Sequence, residues 1–179
     1  MSSERCRGIT PRIVEIASKV KLLVLDVDGV LTDGAFLWGA NGEEFKRFCF
    51  ADATGIAMAL RAGIRIALIS GDSSQEGMAL VQRYADKLKI ADVYKGCHDK
   101  ADAIRDFAEK NQLQLSEICF VGDDFIDVPA MDIVGLAVTP ANAQSAAKVK
   151  AHLVTERNGG MGAVREVLDA ILKDRMQGN

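Results

Sequence analysis

The chain has 179 residues, 49% of them hydrophobic and 26% charged, with a formal net charge of −3. That balance suits one globular domain with a sizeable core and excludes a disordered chain. A small acidic surplus also argues against a nucleic-acid partner, which needs a basic face.

No apolar run approaches the ~20 residues of a membrane span, and Met1–Arg7 lacks the apolar core of a secretory signal. The expectation is a cytoplasmic protein with no membrane partner. Cys6, Cys49, Cys97 and Cys119 show no metal-ligand spacing and read as reduced thiols of that compartment.

Taken in order, Thr10-Pro11 ahead of Ile13, Val14, Ile16 and Ala17 predicts a short capped helix with proline at its first position. A continuous apolar run then predicts a strand from about Val20 to Asp26, buried on both faces. It ends in Asp26-Val27-Asp28-Gly29. Ala35–Trp38 and Glu43–Phe50 flank the turn Gly39-Ala40-Asn41-Gly42, which predicts a hairpin flap over about 34–50. Its Trp38 and phenylalanines are either packing within the hairpin or an exposed patch that seeks a partner.

A helix is expected from Asp52 to Gly63, then a buried strand from Ile64 ending in Ser70-Gly71. Ser73-Ser74-Gln75-Glu76 fits a capping box opening a helix to about Leu88. A short strand over Ala91–Tyr94 leads through Lys95–Lys100 to a helix ending near Asn111. The strand Ser116–Gly122 runs into Gly122-Asp123-Asp124, and Pro129 suits the first turn of the next helix. Strand 135–138, helix 143–150 and strand 151–154 follow. A Gly-rich loop over about 156–162, expected to be flexible, precedes a helix from Ala163 to about Arg175. Strands alternating with helices predict an α/β fold, a three-layer doubly wound parallel sheet. The whole of 1–179 reads as one domain without linker or repeat.

Parallel strands place their C-terminal ends on one edge. Asp26 and Asp28, Ser70, Lys100, and Asp123 with Asp124 and Asp127 can therefore converge. Converging carboxylates need a cation, and oxygen ligands select a hard one such as Mg²⁺. With Lys100 and the Ser70 hydroxyl as anion donors, the set suits phosphoryl transfer. Only a hairpin is inserted between Asp28 and Ser70, and one helix plus a short strand between Ser70 and Lys100, which leaves no room for a cap domain. A neighbouring subunit could then cover the site, through the Trp38 hairpin or the Gly-rich loop.

Asp26-Val27-Asp28-Gly29-Val30-Leu31-Thr32-Asp33-Gly34, Ser70-Gly71, Lys100 and Gly122-Asp123-Asp124-Phe125-Ile126-Asp127 resemble the four motifs of the haloacid-dehalogenase-like phosphohydrolases. The hairpin and Gly159–Glu166 are similar to the 3-deoxy-D-manno-octulosonate 8-phosphate phosphatase family within it. The resemblance implies Asp26 as nucleophile forming an aspartyl-phosphate, and Asp28 as general acid/base. It implies Mg²⁺ held by Asp26, Asp123 and the Asp28 backbone carbonyl, with Ser70 and Lys100 on the phosphoryl group. It further implies substrate contacts from Asp28, Asp52, Gly71, Asp72 and Lys100, a homotetramer with active sites between subunits, and a setting in cell-surface polysaccharide synthesis.

The chain departs from that pattern at the pocket. Asp72, Cys49, Ala51 and Ala57 stand where the family tends to have Arg, Asn, Arg and Arg, so a bidentate carboxylate clamp is lost. Asp72 resembles instead the branch acting on nine-carbon keto-deoxy sugar acid 9-phosphates. The substrate implied first is still the eight-carbon 3-deoxy-D-manno-octulosonate 8-phosphate, with a nine-carbon sugar acid 9-phosphate as the alternative and a non-catalytic oligomerisation or regulatory module as the further one. Asp33 is read as a hairpin-root turn former, and His98 and His152 as structural. Asp124 and Asp127 are either metal orienters or an acidic first helical turn.

Overall fold

The computed structural model describes residues 9–173 and 175; Cys6 and the Met1–Arg7 segment lie outside the described residues. The first helix, α1 (Pro11–Ser18), starts as expected, with the Thr10 hydroxyl accepting from the Ile13 amide. Next come β1 (Leu22–Asp26), β2 (Leu37–Trp38), β3 (Glu44–Phe45), α2 (Phe50–Arg61), β4 (Arg65–Ile69), α3 (Gln75–Leu88) and β5 (Asp92–Tyr94). The second half holds α4 (Lys100–Lys110), β6 (Ile118–Val121), α5 (Val128–Met131), β7 (Leu136–Thr139), α6 (Ser145–Lys150), β8 (Leu153–Val154) and α7 (Ala163–Leu172).

Six strands form one parallel sheet in the order β5-β4-β1-β6-β7-β8. The chain leaves β1 toward β4 and β5, then returns to place β6 on the other side of β1. Such a reversal opens a crevice at the C-terminal ends of the two central strands. Every residue of β1 is buried. Leu23, Leu25, Leu68 and Val121 face the helices α1, α2, α3 and α7, while Leu22, Val24, Ile69 and Phe120 face α4, α5 and α6. The result is a three-layer doubly wound sheet, with only the hairpin and α2 between β1 and β4 and no cap inserted.

The hairpin is shorter than its sequence suggests. Two residues pair on each arm, Leu37 with Phe45 and Trp38 with Glu44. Beyond Phe45 the chain leaves the ladder because its side chains have other partners: Lys46 reaches Asp28 and the Phe48 ring stacks on Tyr84 with centroids 4.1 Å apart. Phe50 already belongs to α2. The capping residue of α3 is Ser74, whose hydroxyl accepts from Gly77, in place of the expected Ser73 box. The Gly-rich loop is packed where flexibility was expected. The Gly160 amide donates to the Val30 carbonyl at 2.9 Å and Gly159 to the Asn142 side chain at 2.9 Å. A Cβ on Gly159 would overlap the Gly29 carbonyl, so glycine here permits direct contact with the Asp26–Asp33 loop.

Candidate active site

Asp26 closes β1 at the crevice, its side chain buried because its strand is buried. One carboxylate oxygen accepts from the Val27 amide at 2.8 Å and the other pairs with the Lys100 ammonium at 2.8 Å. Lys100, the first residue of α4, also donates to Asp127 at 2.6 Å. The second Asp127 oxygen accepts the amides of Asp123 and Asp124, at 2.9 and 3.1 Å. Asp127 thus spends both oxygens on orienting Lys100 and the loop after β6. The Asp123 carboxylate has no hydrogen-bond or ion-pair partner among the described residues.

Burial pushes the Asp26 carboxyl up to about 7, with Lys100 pulling against it and Asp127 adding to it. Asp123 is also pushed up to about 7 by burial, reinforced by Asp127 and Asp124. Burial works against the charge of Lys100, yet Asp26 and Asp127 together hold its pKa above the usual lysine range. One oxygen each of Asp26, Asp123 and Asp127 falls within a 4.8 Å group. The Asp26 and Asp123 carboxyls both resist ionisation and Asp123 is unpartnered, so the two form a donor pair that a hard divalent cation completes.

Asp28 points elsewhere. Its carboxylate accepts from Lys46 at 2.7 Å and from the Thr32 hydroxyl at 3.4 Å. The Lys46 ammonium also lies 3.5 Å from Glu44 and 3.7 Å from Asp72, with its side chain 7% exposed. Burial again opposes the charge, and the three carboxylates outweigh it and raise the lysine's pKa. The Ser70 hydroxyl accepts from the Asp72 amide at 3.1 Å, leaving its own proton for an anion. Asp26, Asp28, Ser70, Gly71, Asp72, Lys100 and Asp123 all line one cavity of about 420 Å³, which Asn142 and Gln144 also border.

Residues 72–168 match the model of the haloacid dehalogenase-like hydrolase family. The chain is 41% identical over 168 residues to the 3-deoxy-D-manno-octulosonate 8-phosphate phosphatase KdsC of Salmonella typhimurium, covering 93% of this chain and 87% of that enzyme. It belongs to the haloacid dehalogenase-like hydrolases. Among solved members, the Moraxella catarrhalis 3-deoxy-D-manno-octulosonate 8-phosphate phosphatase, in complex with magnesium, phosphate and KDO, superposes with a TM-score of 0.87 at 34% identity. The match spans 92% of each chain. The Yersinia pestis phosphatase gives 0.88 at 38% identity, over 95% of this chain and 91% of that one.

As a member of this family the chain presents a phosphatase-type constellation, with one expected residue outside it. Asp52 is fully buried and does not border the cavity. Its two oxygens accept the amides of Gly162 and Arg165, at 3.3 and 2.7 Å. Gly162 stands at the cap position of α7 and has no side chain to satisfy the first-turn amides, so Asp52 caps that helix from a distance. The substrate contact expected of Asp52 is corrected accordingly.

Lys46 is the site residue that sequence reasoning missed. A lone lysine in a hairpin arm carries no motif, and two of its three carboxylate partners, Asp28 and Asp72, lie far from it in sequence. Asp33 serves the hairpin root, where its carboxylate takes the Ala35 amide and Arg47. His152 accepts the Ala137 amide and His98 lies exposed on the loop before α4.

Proposed function

We propose that the chain is a Mg²⁺-dependent phosphatase that hydrolyses 3-deoxy-D-manno-octulosonate 8-phosphate by way of an aspartyl-phosphate on Asp26. The observation that carries this reading is the buried Asp26–Lys100–Asp127 chain at the crevice with the unpartnered Asp123 carboxylate beside it. The substrate follows from the named activity of relatives that match along almost the whole chain.

In the first step an Asp26 oxygen attacks phosphorus, the ester P–O bond breaks, and Asp28 gives its proton to the leaving sugar oxygen. In the second, Asp28 takes a proton from a water that attacks phosphorus. The Asp26–phosphorus bond breaks and inorganic phosphate leaves. Ser70 and Lys100 donate to the phosphoryl oxygens where negative charge gathers. Asp26, Asp123 and the Asp28 backbone would hold Mg²⁺, which supplies charge neutralisation for the phosphoryl group and for the two carboxylates.

The cavity is open without a cap, and dry surroundings favour this chemistry. Phe36 and Trp38, 74% and 69% exposed with rings 5.1 Å apart, present an apolar surface beside it. A homotetramer that covers the cavity with a neighbour is therefore part of the proposal, as is a single catalytic domain. No described helix is long and apolar enough to cross a membrane, and a cytoplasmic enzyme is likewise part of the proposal.

Asp72 supports a second reading. Its carboxylate lines the cavity with Lys46 3.7 Å away, and an acidic residue at this position resembles the branch acting on nine-carbon sugar acid 9-phosphates. Phosphate release with Mg²⁺ from the eight- and nine-carbon esters, measured in parallel with Asp26→Asn as the blank, decides between them. Turnover of neither would sink both. Light scattering of a fully active monomer would remove the tetramer.

A further inference from the structure

Asp52, in the first turn of α2, is a costly way to cap another helix. It is fully buried, and burial pushes its carboxyl up against the pull of the Arg165 and Gly162 amides. α7 cannot cap itself because of the path its chain takes beforehand. Gly162 stands at the cap position with φ 102°, in the left-handed region, and a Cβ there would crowd the Arg157 guanidinium. A serine or threonine hydroxyl, the usual local cap, is therefore strained at this position.

That path is set by Gly159-Gly160, which lies directly on the turn after β1. The Gly160 amide donates to the Val30 carbonyl, and a Cβ on Gly160 would stand 2.6 Å from the Asp33 amide nitrogen. On its other side Gly159 donates to Asn142, which borders the catalytic cavity. The turn touched in this way carries Asp28. The Thr32 hydroxyl accepts the Gly29 and Gly34 amides at 3.3 Å each and donates to the Asp28 carboxylate at 3.4 Å. Contacts therefore run without a break from Asp52 through Gly162 and Gly160 to the turn that holds Asp28.

We propose that Asp52 is a positioning residue of the phosphatase centre, acting on Asp28 through the Gly-rich segment. It anchors the start of α7, the anchored chain seats Gly159-Gly160 on the Gly29–Asp33 turn, and that turn sets where Asp28 points. The inference rests on the phosphatase reading above and gives Asp52 no contact with substrate. What the connection supplies is alignment, because a misplacement of about 1 Å at an acid/base group costs up to ~100-fold in rate.

The test compares Asp52→Asn with Leu168→Ala, which opens a cavity on the buried face of α7 and leaves the cap intact. An asparagine oxygen can keep the Arg165 amide while its NH₂ group faces the Gly162 amide, so the Gly-rich side is released. Two esters separate the roles. The sugar-acid phosphate needs the Asp28 proton on its leaving oxygen, whereas p-nitrophenyl phosphate leaves as a stable phenolate. In Asp52→Asn, kcat should fall ~10-fold on the first and no more than about twofold on the second, with KM nearly unchanged on both. Leu168→Ala, assayed well below its own Tm, should lower Tm and leave both kcat values alone. The Leu31 and Thr32 amides, which donate to the Val27 carbonyl, should exchange hydrogen faster in Asp52→Asn than in Leu168→Ala. Equal falls in kcat on the two esters, or wild-type exchange at those amides in Asp52→Asn, would overturn the positioning role and leave Asp52 a helix cap only. A wild-type chain that hydrolyses neither ester would sink the phosphatase reading instead, and the exchange comparison then decides by itself whether Asp52 holds the turn.

Discussion

Two lysines hold the two aspartates of the Asp26-Val27-Asp28 motif, and they do so in opposite settings. Lys100 sits between Asp26 and Asp127 at the rigid sheet edge, with side chains 2%, 8% and 0% exposed. Lys46 sits between Asp28 and Asp72 just past the two-residue ladder of the hairpin, and these partners are 43% and 24% exposed. The first cluster has replaced water by protein, so every charge in it must be compensated from within. The second keeps its carboxylates at the water boundary, where a proton can be exchanged. A nucleophile gains from the first setting and an acid/base from the second.

The comparison breaks most sharply at Asp26. Asp26→Asn removes the attacking oxygen and should lower turnover by at least ~10⁴-fold, as loss of a covalent nucleophile does. Because burial already disfavours that charge, the same change should leave stability equal or higher. Turnover assays and denaturant unfolding on one protein sample test both halves, and a strongly destabilised Asp26→Asn would contradict the cost that burial places on its charge.

Lys100→Met should come next. It strands two buried carboxylates, and breaking a buried pair costs about 3–5 kcal/mol. Asp127→Asn should cost less, since its amide oxygen can still accept both backbone N–H groups while the ion pair is lost. Equal midpoints for wild type and Lys100→Met in urea would show that water reaches Asp26 freely.

The pH dependence sharpens the same contrast. Asp26 and Asp123 have folded-state pKa values raised to about 7 from an ordinary value near 3.8. Between these limits the folded chain binds more protons than the unfolded one, so without a divalent cation its stability falls as pH rises from about 4 to 7. A cation needs both carboxylates ionised, so added Mg²⁺ should raise Tm more at pH 8 than at pH 5.5. A Tm gain from Mg²⁺ that is the same at both pH values would count against Asp26 and Asp123 as its ligands.

Much of this arrangement was legible in the chain. The apolar run before Asp26, the Ser70-Gly71 ending of β4 and the Gly122-Asp123 ending of β6 are local signals, and parallel pairing brings such strand ends to one edge. What could not be read was long-range. Asp52 lies 110 residues from the Gly162 amide that it caps, and nothing beside either residue announces the partner. The packed Gly159-Gly160 segment resembles a flexible linker in composition, because glycine serves equally where a chain must bend and where backbones must touch. Asp127 divided its two readings evenly until its burial and its bond to Lys100 were visible.

The smallest expected effect tests the hairpin side of the comparison. Lys46→Met removes the donor that aims Asp28, yet Asp28 is exposed enough to regain water, so stability should fall by no more than ~1 kcal/mol. Turnover should fall about 10- to 100-fold, the range for losing alignment of an acid/base group. Lys46→Arg, which keeps the charge but not the geometry, should recover part of that loss. If Lys46→Met instead destabilised the chain as much as Lys100→Met, the two lysines would be equivalent structural bolts. The hairpin would then be part of the rigid frame, and Asp28 would owe its aim to Thr32 alone.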